Sequence, residues 1–329
     1  SGIRGKQHVP HGRKALESEG IAGMKRTPLD EWIFQKHGIR TDDRQAVASY
    51  QLERIRELIG YARSRSPFYR QLYGGAALPA SMEAFSRFPT VHAGDLTARG
   101  YQMLCVSQSE IARIVTLRTS GTTQAPKRVY FTRDDVDLTL DFFENGMKTL
   151  GGSGDRALIL FPAKAPESVG DLLSEALRRL GMTVCCEEGD GAVRRLLCEP
   201  VDIVCGSASR LLGVASGTRG VPIRAVLSSS EPLSEDGRAA LQSAWRCRVF
   251  DHFGMTETGY GGAVECEAHE GMHIRENDLY FEVIDGDGRR LPDGTPGELA
   301  VTTLTRRGMP LIRYRTGDRA VLSGEDCPC

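Results

Sequence analysis

The chain has no apolar run approaching the roughly 18 residues that a bilayer-spanning helix needs, which argues against a helical membrane span. Its opening residues, SGIRGKQHVPHGRK, are basic but lack the apolar centre of a signal peptide, so a cytoplasmic location is expected. There is also no charge excess. The 42 basic and 43 acidic side chains leave a formal net charge of -1, which removes bulk attraction to nucleic acid or to an anionic membrane surface. No internal repeat and no low-complexity block is found. The nine cysteines are an odd number, and most sit in apolar runs such as MTVCC (Cys185, Cys186) and VDIVC (Cys205), where cysteine packs as a small hydrophobe. A secreted disulfide framework is therefore not expected. Cys327 and Cys329 differ, because they lie in the polar turn EDCPC.

What is present fills a sizeable core: 329 residues, 40% of them hydrophobic, suffice for one large or two ordinary domains. Residues 1–27 are polar and unpatterned and read as a disordered lead or as residues foreign to the natural chain. From Ala48 to Tyr73, Leu52, Ile55, Leu58, Ile59 and Ala62 recur at helical spacing until Pro67 interrupts them, which predicts an amphipathic helix. Between Arg156 and Phe253 the apolar runs ALILFP, MTVCC, VDIVCG, IRAVLS and CRVFDHF alternate with helical stretches such as VGDLLSEALRRLG and SEDGRAALQSAW. Short, continuously apolar strands between helices mark a mostly parallel sheet covered on both faces, so the fold class is α/β. After Gly271 the texture changes to LYFEVID, a turn region GDGRRLPDGTPGE and LAVTTL, an antiparallel hairpin or small barrel. The division expected is an α/β part over about 28–265 and a β-rich part over about 266–329.

One loop stands out. Between the apolar run Ile111–Leu117 and the strand-like RVYFT lies TSGTTQAPK, in which Thr119, Ser120, Gly121, Thr122, Thr123 and Lys127 offer hydroxyls, backbone N–H groups and a point charge. Such groups can converge on phosphate oxygens, and the same composition also suits a solvated hairpin turn. The Walker-type pattern G-x-x-x-x-G-K-[ST] is missing, so it is not a P-loop of that kind.

TSGTTQAPK resembles the phosphate-binding loop T-S-G-T-T-G-x-P-K of the adenylate-forming superfamily, which includes acyl- and aryl-CoA synthetases, luciferases and peptide-synthetase adenylation domains. Gln124 stands where that pattern has glycine. Two further stretches follow in the same order: DHFGMTE (Asp251–Glu257) is similar to the aromatic-Gly-x-Thr-Glu motif, and YRTGD (Tyr314–Asp318) to the ribose-binding segment. Within the superfamily the chain most resembles phenylacetate-CoA ligases, through LERIRELIGYARSRSPFYRQLY, SSSEPLSE, CEAHEGMHIRENDLYFEVID, LTRRGMPLIRYRTGD and the closing CPC. Ser229 and Ser230 replace a Gly-Ala pair of those ligases, and Gly317 replaces a frequent arginine.

The resemblance implies a large N-terminal domain of mostly parallel sheets with a small β-rich part, and attack of a carboxylate on the α-phosphate of ATP to give an acyl-adenylate and pyrophosphate. Negative charge gathers on phosphate oxygens in that step, so positioned donors and a metal ion matter more than a protein nucleophile. By resemblance, Thr119–Thr123 and Lys127 would cradle the β/γ phosphates, Thr256 would meet the α-phosphate, and Glu257 would hold Mg²⁺. Asp318 would accept both ribose hydroxyls; Asp251, His252, Phe253 and Gly254, with Ser230, Glu231 and Pro232, would border the adenine and the adjoining acyl site. For His252, simple packing and a place near the acyl pocket are both open. FPAKAPESVG (Phe161–Gly170) is expected near the acyl pocket, either as a surface loop or with Lys164 facing an anionic substituent. An aryl or arylacetic acid is the expected substrate and coenzyme A the expected acceptor, with a carrier protein or amine as the alternative acceptor and a nucleotide-binding protein without turnover as the alternative to an enzyme. The resemblance also admits a homodimer. The mobile C-terminal domain of such enzymes does not follow within these 329 residues.

Cys266, His269 and His273 share a short segment, and Cys327 with Cys329 follows at the far end. Thiolate and imidazole suit a closed tetrahedral Zn²⁺ site, and some relatives resemble this pattern and bind structural zinc. Cys266, His273, Cys327 and Cys329 are the expected ligands, with His269 as substitute; a flexible tail with two exposed cysteines is the alternative.

Overall fold

The computed structural model describes residues 27–117, 126–324 and 327–329. Helix α1 (Pro28–His37) starts at Thr27, whose hydroxyl accepts the Asp30 N–H at 3.2 Å while the Asp30 carboxylate accepts the Thr27 N–H at 3.2 Å, and it ends at Gly38, whose φ of 66° favours glycine. The expected helix through Tyr73 is two helices. α2 (Arg44–Arg65) stops at Ser66, and α3 (Pro67–Tyr73) restarts with Pro67 in its first turn, where the missing N–H costs nothing. Two short helices follow, α4 (Met82–Phe85) and α5 (Ala93–Arg99). Strands β1 (Ile111–Leu117) and β2 (Lys127–Thr132) pair antiparallel, with Leu117 opposite Lys127. β2 leads directly into α6 (Arg133–Met147) through a capping box between Thr132 and Asp135.

The centre is the α/β layer. It runs β3 (Arg156–Ile159), α7 (Val169–Arg179), β4 (Thr183–Cys186), α8 (Gly191–Cys198), β5 (Ile203–Gly206), α9 (Ala208–Ser216), β6 (Ala225–Ser229), α10 (Glu235–Trp245) and β7 (Arg248–Phe253). Two short strands, β8 (Ala263–Glu265) and β9 (Met272–Ile274), complete a seven-stranded sheet of order β4-β3-β5-β6-β7-β8-β9. The first five strands in that order are parallel and β8 and β9 are antiparallel. Neighbouring residues in each strand feed opposite faces: Leu158, Val204, Val226 and Val249 pack with Trp245 in one core, while Ile159, Cys205, Leu227 and Phe250 enter the other.

A three-stranded antiparallel sheet follows: β10 (Leu279–Ile284), β11 (Gly297–Thr303) and β12 (Tyr314–Ala320). Because β9 still belongs to the large sheet, the change of architecture falls near residue 279 rather than 266. Two buried ionic groups tie this part down. Arg313 donates to Glu282 at 2.6 and 3.1 Å with both side chains 1% exposed, and Asp135 accepts the N–H groups of Arg307 and Gly308, each at 3.1 Å. Among the described residues no helix is long and apolar enough to cross a membrane.

Candidate functional site

Three elements far apart in sequence converge on one carboxylate. Glu257 sits in a single 3-10 turn (Thr256–Thr258) just after β7, and that turn ends at Gly259 with φ 70°. Glu257 is 1% exposed. Its Oε1 accepts the Tyr314 hydroxyl at 3.1 Å and forms an ion pair with Lys127 Nζ, which is also 3.3 Å from the Tyr314 oxygen. Burial, with the Glu257 charge beside it, pushes the Tyr314 hydroxyl well above the usual phenol range and keeps it a neutral donor. Arg306 donates to the Glu257 carbonyl at 2.8 Å, and burial lowers the pKa of that guanidinium. Thr256 is nearly buried alongside. Thr119, Ser120, Gly121, Thr122 and Thr123 lie outside the described residues. Leu117 and Lys127, on either side of that segment in sequence, are paired between β1 and β2.

The same strand-turn supplies the next group. Burial, and then the Glu265 carboxylate, push the Asp251 carboxyl up to about 7, and the Asp251 N–H donates to Glu265 Oε2 at 2.8 Å. Phe253 packs edge-on against Phe281 and is core rather than cleft wall. Gly254 is demanded by space: a Cβ there would lie 2.2 Å from the Tyr260 carbonyl oxygen. Ser230, with φ 71°, Glu231 and Pro232 are exposed at the end of β6. The Glu231 carboxylate is already engaged, accepting the Ser209 N–H at 2.8 Å and its hydroxyl at 3.0 Å, and these bonds hold its pKa below the usual range. Asp318 stands half-buried on β12, four residues beyond Tyr314, with its N–H donating to Thr316 Oγ1 at 3.0 Å.

Beside this group is an apolar cavity of about 40 Å³, walled by Phe142, Phe143 and Met147 of α6 with Phe161, Leu227 and His252. His252 Nδ1 and Ser229 Oγ share a hydrogen bond of 2.8 Å. The segment Phe161–Gly170 does border the cavity, through Phe161 and Val169. Lys164 does not. Its side chain is 88% exposed, with Nζ 3.9 Å from Glu188.

A second cluster lies apart. Cys266, His273, Cys327 and Cys329 place one ligand atom each within 4.8 Å of one another. Cys266 Sγ is 3.4 Å from Cys327 Sγ, and Cys329 Sγ is 3.4 Å from His273 Nε2. The neighbouring Cys329 thiol draws the Cys266 pKa well below the thiol range, which favours the thiolate that a metal binds. On the other side of the imidazole, His273 Nδ1 is 3.7 Å from Asp30 Oδ2, longer than a hydrogen bond. His269 is elsewhere, 3.3 Å from Glu265 and against the Phe250 ring. The donor set thus fits a tetrahedral Zn²⁺.

Sequence reasoning missed several members of these sites. Tyr314 lay inside a recognised motif, yet only Asp318 was given a role there. Arg306, and the Arg113–Tyr260 hydrogen bond of 2.6 Å, had no local signal, because each works across more than 40 residues of chain. Asp30 has no role in the sequence reading; in the fold it caps α1 at Thr27.

The family model described as AMP-binding enzyme matches residues 113–305. Phenylacetate-coenzyme A ligase of Thermus thermophilus is 30% identical over 312 residues, covering 88% of this chain and 69% of that protein. The protein of the same name from Escherichia coli is 26% identical, covering 85% of this chain and 68% of its own length. Among solved structures, an open conformation of 2-hydroxyisobutyryl-CoA ligase, in complex with 2-HIB-AMP and CoA, shares the fold with a TM-score of 0.76 at 22% identity, over 88% of this chain and 67% of that one. The chain thus spans about two thirds of the length of each.

Proposed function

This chain belongs to the AMP-binding enzyme family, and from that membership we propose that it activates a carboxylic acid with ATP, forming an acyl-adenylate and pyrophosphate, and passes the acyl group to coenzyme A. The likeness to relatives named phenylacetate-coenzyme A ligase favours an aryl or arylacetic acid. The observation that carries the reading is the convergence of Lys127 and Tyr314 on one buried oxygen of Glu257.

The chemistry needs a carboxylate oxygen brought in line with the α-phosphate while charge builds on the phosphate oxygens. Lys127 supplies a cation at the base of the 118–125 segment, whose hydroxyls and N–H groups would hold the β/γ phosphates. Thr256 would donate to the α-phosphate, Asp318 would accept the ribose hydroxyls, and Asp251, with the backbone of Ser230 to Pro232, would face the adenine. Glu257 is the carboxylate that would hold Mg²⁺, which screens phosphate charge when bound. In the structure Lys127 pairs with Glu257, which keeps the buried carboxylate from being left uncompensated. With a cation held at Glu257, Lys127 would be free to face phosphate. We further propose that Cys266, His273, Cys327 and Cys329 hold a structural Zn²⁺.

Acid-dependent ATP–pyrophosphate exchange tests the first half-reaction without an acceptor. Exchange should appear with one class of acid, and Lys127→Ala and Glu257→Ala should each lower it by about 100-fold or more, the scale seen when a positioned transition-state group is removed. Wild-type rates in both variants would refute the assignment.

A further inference from the structure

We propose that Arg306 and Thr139 are positioning residues for Glu257: together they fix the main chain of the turn at Thr256–Thr258, so that the Glu257 carboxylate is preset for the metal that accompanies a nucleotide. The inference rests on the adenylation reading above and gives a role to two residues that this reading leaves without one.

A turn of this length closes few bonds of its own. The Thr258 N–H donates to the Met255 carbonyl and the Gly259 N–H to that of Thr256, both at 3.0 Å, and the Tyr260 N–H reaches the Met255 carbonyl at 2.9 Å. The buried carbonyls of Glu257 and Gly259 need donors from outside the turn. Each finds one, on a different element. Arg306 Nη1 donates to the Glu257 carbonyl at 2.8 Å, and the Thr139 hydroxyl of α6 donates to the Gly259 carbonyl at 3.0 Å. The two groups close on the same end of the turn: a Cβ on Gly259 would lie 3.1 Å from Thr139 Oγ1 and 3.2 Å from Arg306 Nη2. Both side chains belong to the interior, since Thr139 and Arg306 are buried residues.

A buried cation is a costly way to fill space. The Arg306 guanidinium lies over the Phe131 ring, 4.7 Å from its centroid, and among the described residues it makes no ion pair. Its charge-assisted hydrogen bond goes to a main-chain carbonyl, which places it to hold that carbonyl rather than to neutralise an acid. Arg306 is held in turn. Asp135 accepts the N–H groups of Arg307 and Gly308 at 3.1 Å each and that of Thr132 at 3.0 Å, and a Cβ on Gly308 would lie 2.7 Å from Asp135 Oδ2. Asp135 and Thr139 stand one turn apart on α6, and α6 follows β2 without a break. The helix that begins where the Lys127 strand ends is therefore the common reference for both partners of the Lys127–Glu257 pair. Such presetting suits Mg²⁺, which demands near-ideal octahedral geometry, so a carboxylate whose main chain drifts holds the ion poorly.

The test is calorimetric binding of ATP to the 329-residue protein, with Mg²⁺ and then with a chelator in its place. Wild type should bind ATP about 10-fold tighter with the metal, equivalent to about 1.4 kcal/mol. In Arg306→Met most of that ratio should be lost, and Arg306→Lys, which keeps a cationic donor, should retain part of it. Affinity for adenosine, which brings neither phosphate nor metal, should be unchanged in both variants. That last measurement separates positioning from general damage: if adenosine and ATP weaken together, Arg306 supports the fold as a whole and the inference is overturned. A full metal ratio in Arg306→Met overturns it as well and leaves nucleotide binding standing. So does the absence of a metal ratio in wild type, since Glu257 then holds no ion. Failure of wild type to bind either ATP or adenosine overturns the adenylation reading together with the inference. Should Arg306→Met fail to fold, Arg306→Lys and Thr139→Val decide: the valine keeps the shape of the threonine, removes the bond to Gly259, and should lower the metal ratio while leaving adenosine binding intact.

Discussion

Adjacent residues at the candidate site respond to pH with opposite signs. His252 falls from 6.5 to about 4 in the folded chain, so its contribution to stability is complete above 6.5 and is lost as the pH drops through about 4. At about 1.4 kcal/mol per pH unit that is up to about 3 kcal/mol. Asp251 rises from 3.8 to about 7, so its contribution is complete below 3.8 and is lost as the pH climbs through about 7. Urea midpoints measured from pH 4 to 8 should therefore show His252→Gln losing less stability than wild type on the acid side, and Asp251→Asn losing less on approach to neutrality. Parallel curves for all three proteins would contradict the burial argument for both groups. At this scale the sequence was readable where a motif names the residue, as with Glu257 and Asp318. It was silent where the partner is distant: nothing near Tyr314 announces that its hydroxyl lies 3.1 Å from Glu257 Oε1.

At the scale of elements, the cysteine-histidine cluster spans the end of the seven-stranded sheet and the far end of the chain. Cys266 follows β8, His273 lies in β9, and Cys327 and Cys329 arrive more than 50 residues later. A metal there closes a long loop, and its binding energy becomes folding energy. Metal analysis of the purified protein should find about one zinc per chain, and a strong chelator, or Cys327→Ser with Cys329→Ser, should lower Tm by several degrees, the shift expected for a few kcal/mol in a chain of this size. Metal-free protein with an unchanged Tm would remove the site. The elements themselves were legible for a physical reason: the runs ALILFP, VDIVCG and IRAVLS are largely apolar because β3, β5 and β6 bury both faces, while MTVCC and CRVFDHF form the part-buried β4 and β7. Boundaries were less so. Pro67 reads as a stop, yet in the fold it opens α3, because proline at a first helical position loses no hydrogen bond. The limit set at residue 266 failed to anticipate β9, whose three residues carry too short a pattern to assign to either sheet.

For the whole molecule, the strand order places the change of winding direction between β3 and β5, while the catalytic candidates gather two strands further along, in the turn after β7, where Glu257 meets Lys127 of β2 and Tyr314 of β12. Function is therefore built at a junction between the large sheet, the β1–β2 pair and the three-stranded sheet. Long-range ties hold that junction: Asp135 binds the backbone at Arg307 and Gly308, and the Arg313–Glu282 pair is wholly buried. Breaking one partner of such a pair costs more than the pair contributes, because the other charge is left unpaired in the core. These ties explain why the architecture was accessible from hydrophobic pattern alone and the site only through motifs. Pattern reports burial, whereas the site depends on which loops the burial brings together.

The proposed reaction begins with attack of a substrate carboxylate on the α-phosphate of ATP. The most direct measurement supplies the acid with its carboxylate oxygens isotopically heavy and follows the label by mass spectrometry, using hydroxylamine or coenzyme A to take up the acyl group. Attack at the α-phosphate makes a labelled oxygen the bridge of the acyl-adenylate, and cleavage at the acyl carbon leaves that oxygen on AMP. AMP should carry one heavy oxygen and should form only when the acid is present. Acid-dependent ATP consumption with unlabelled AMP, or with the label on inorganic phosphate, would contradict it.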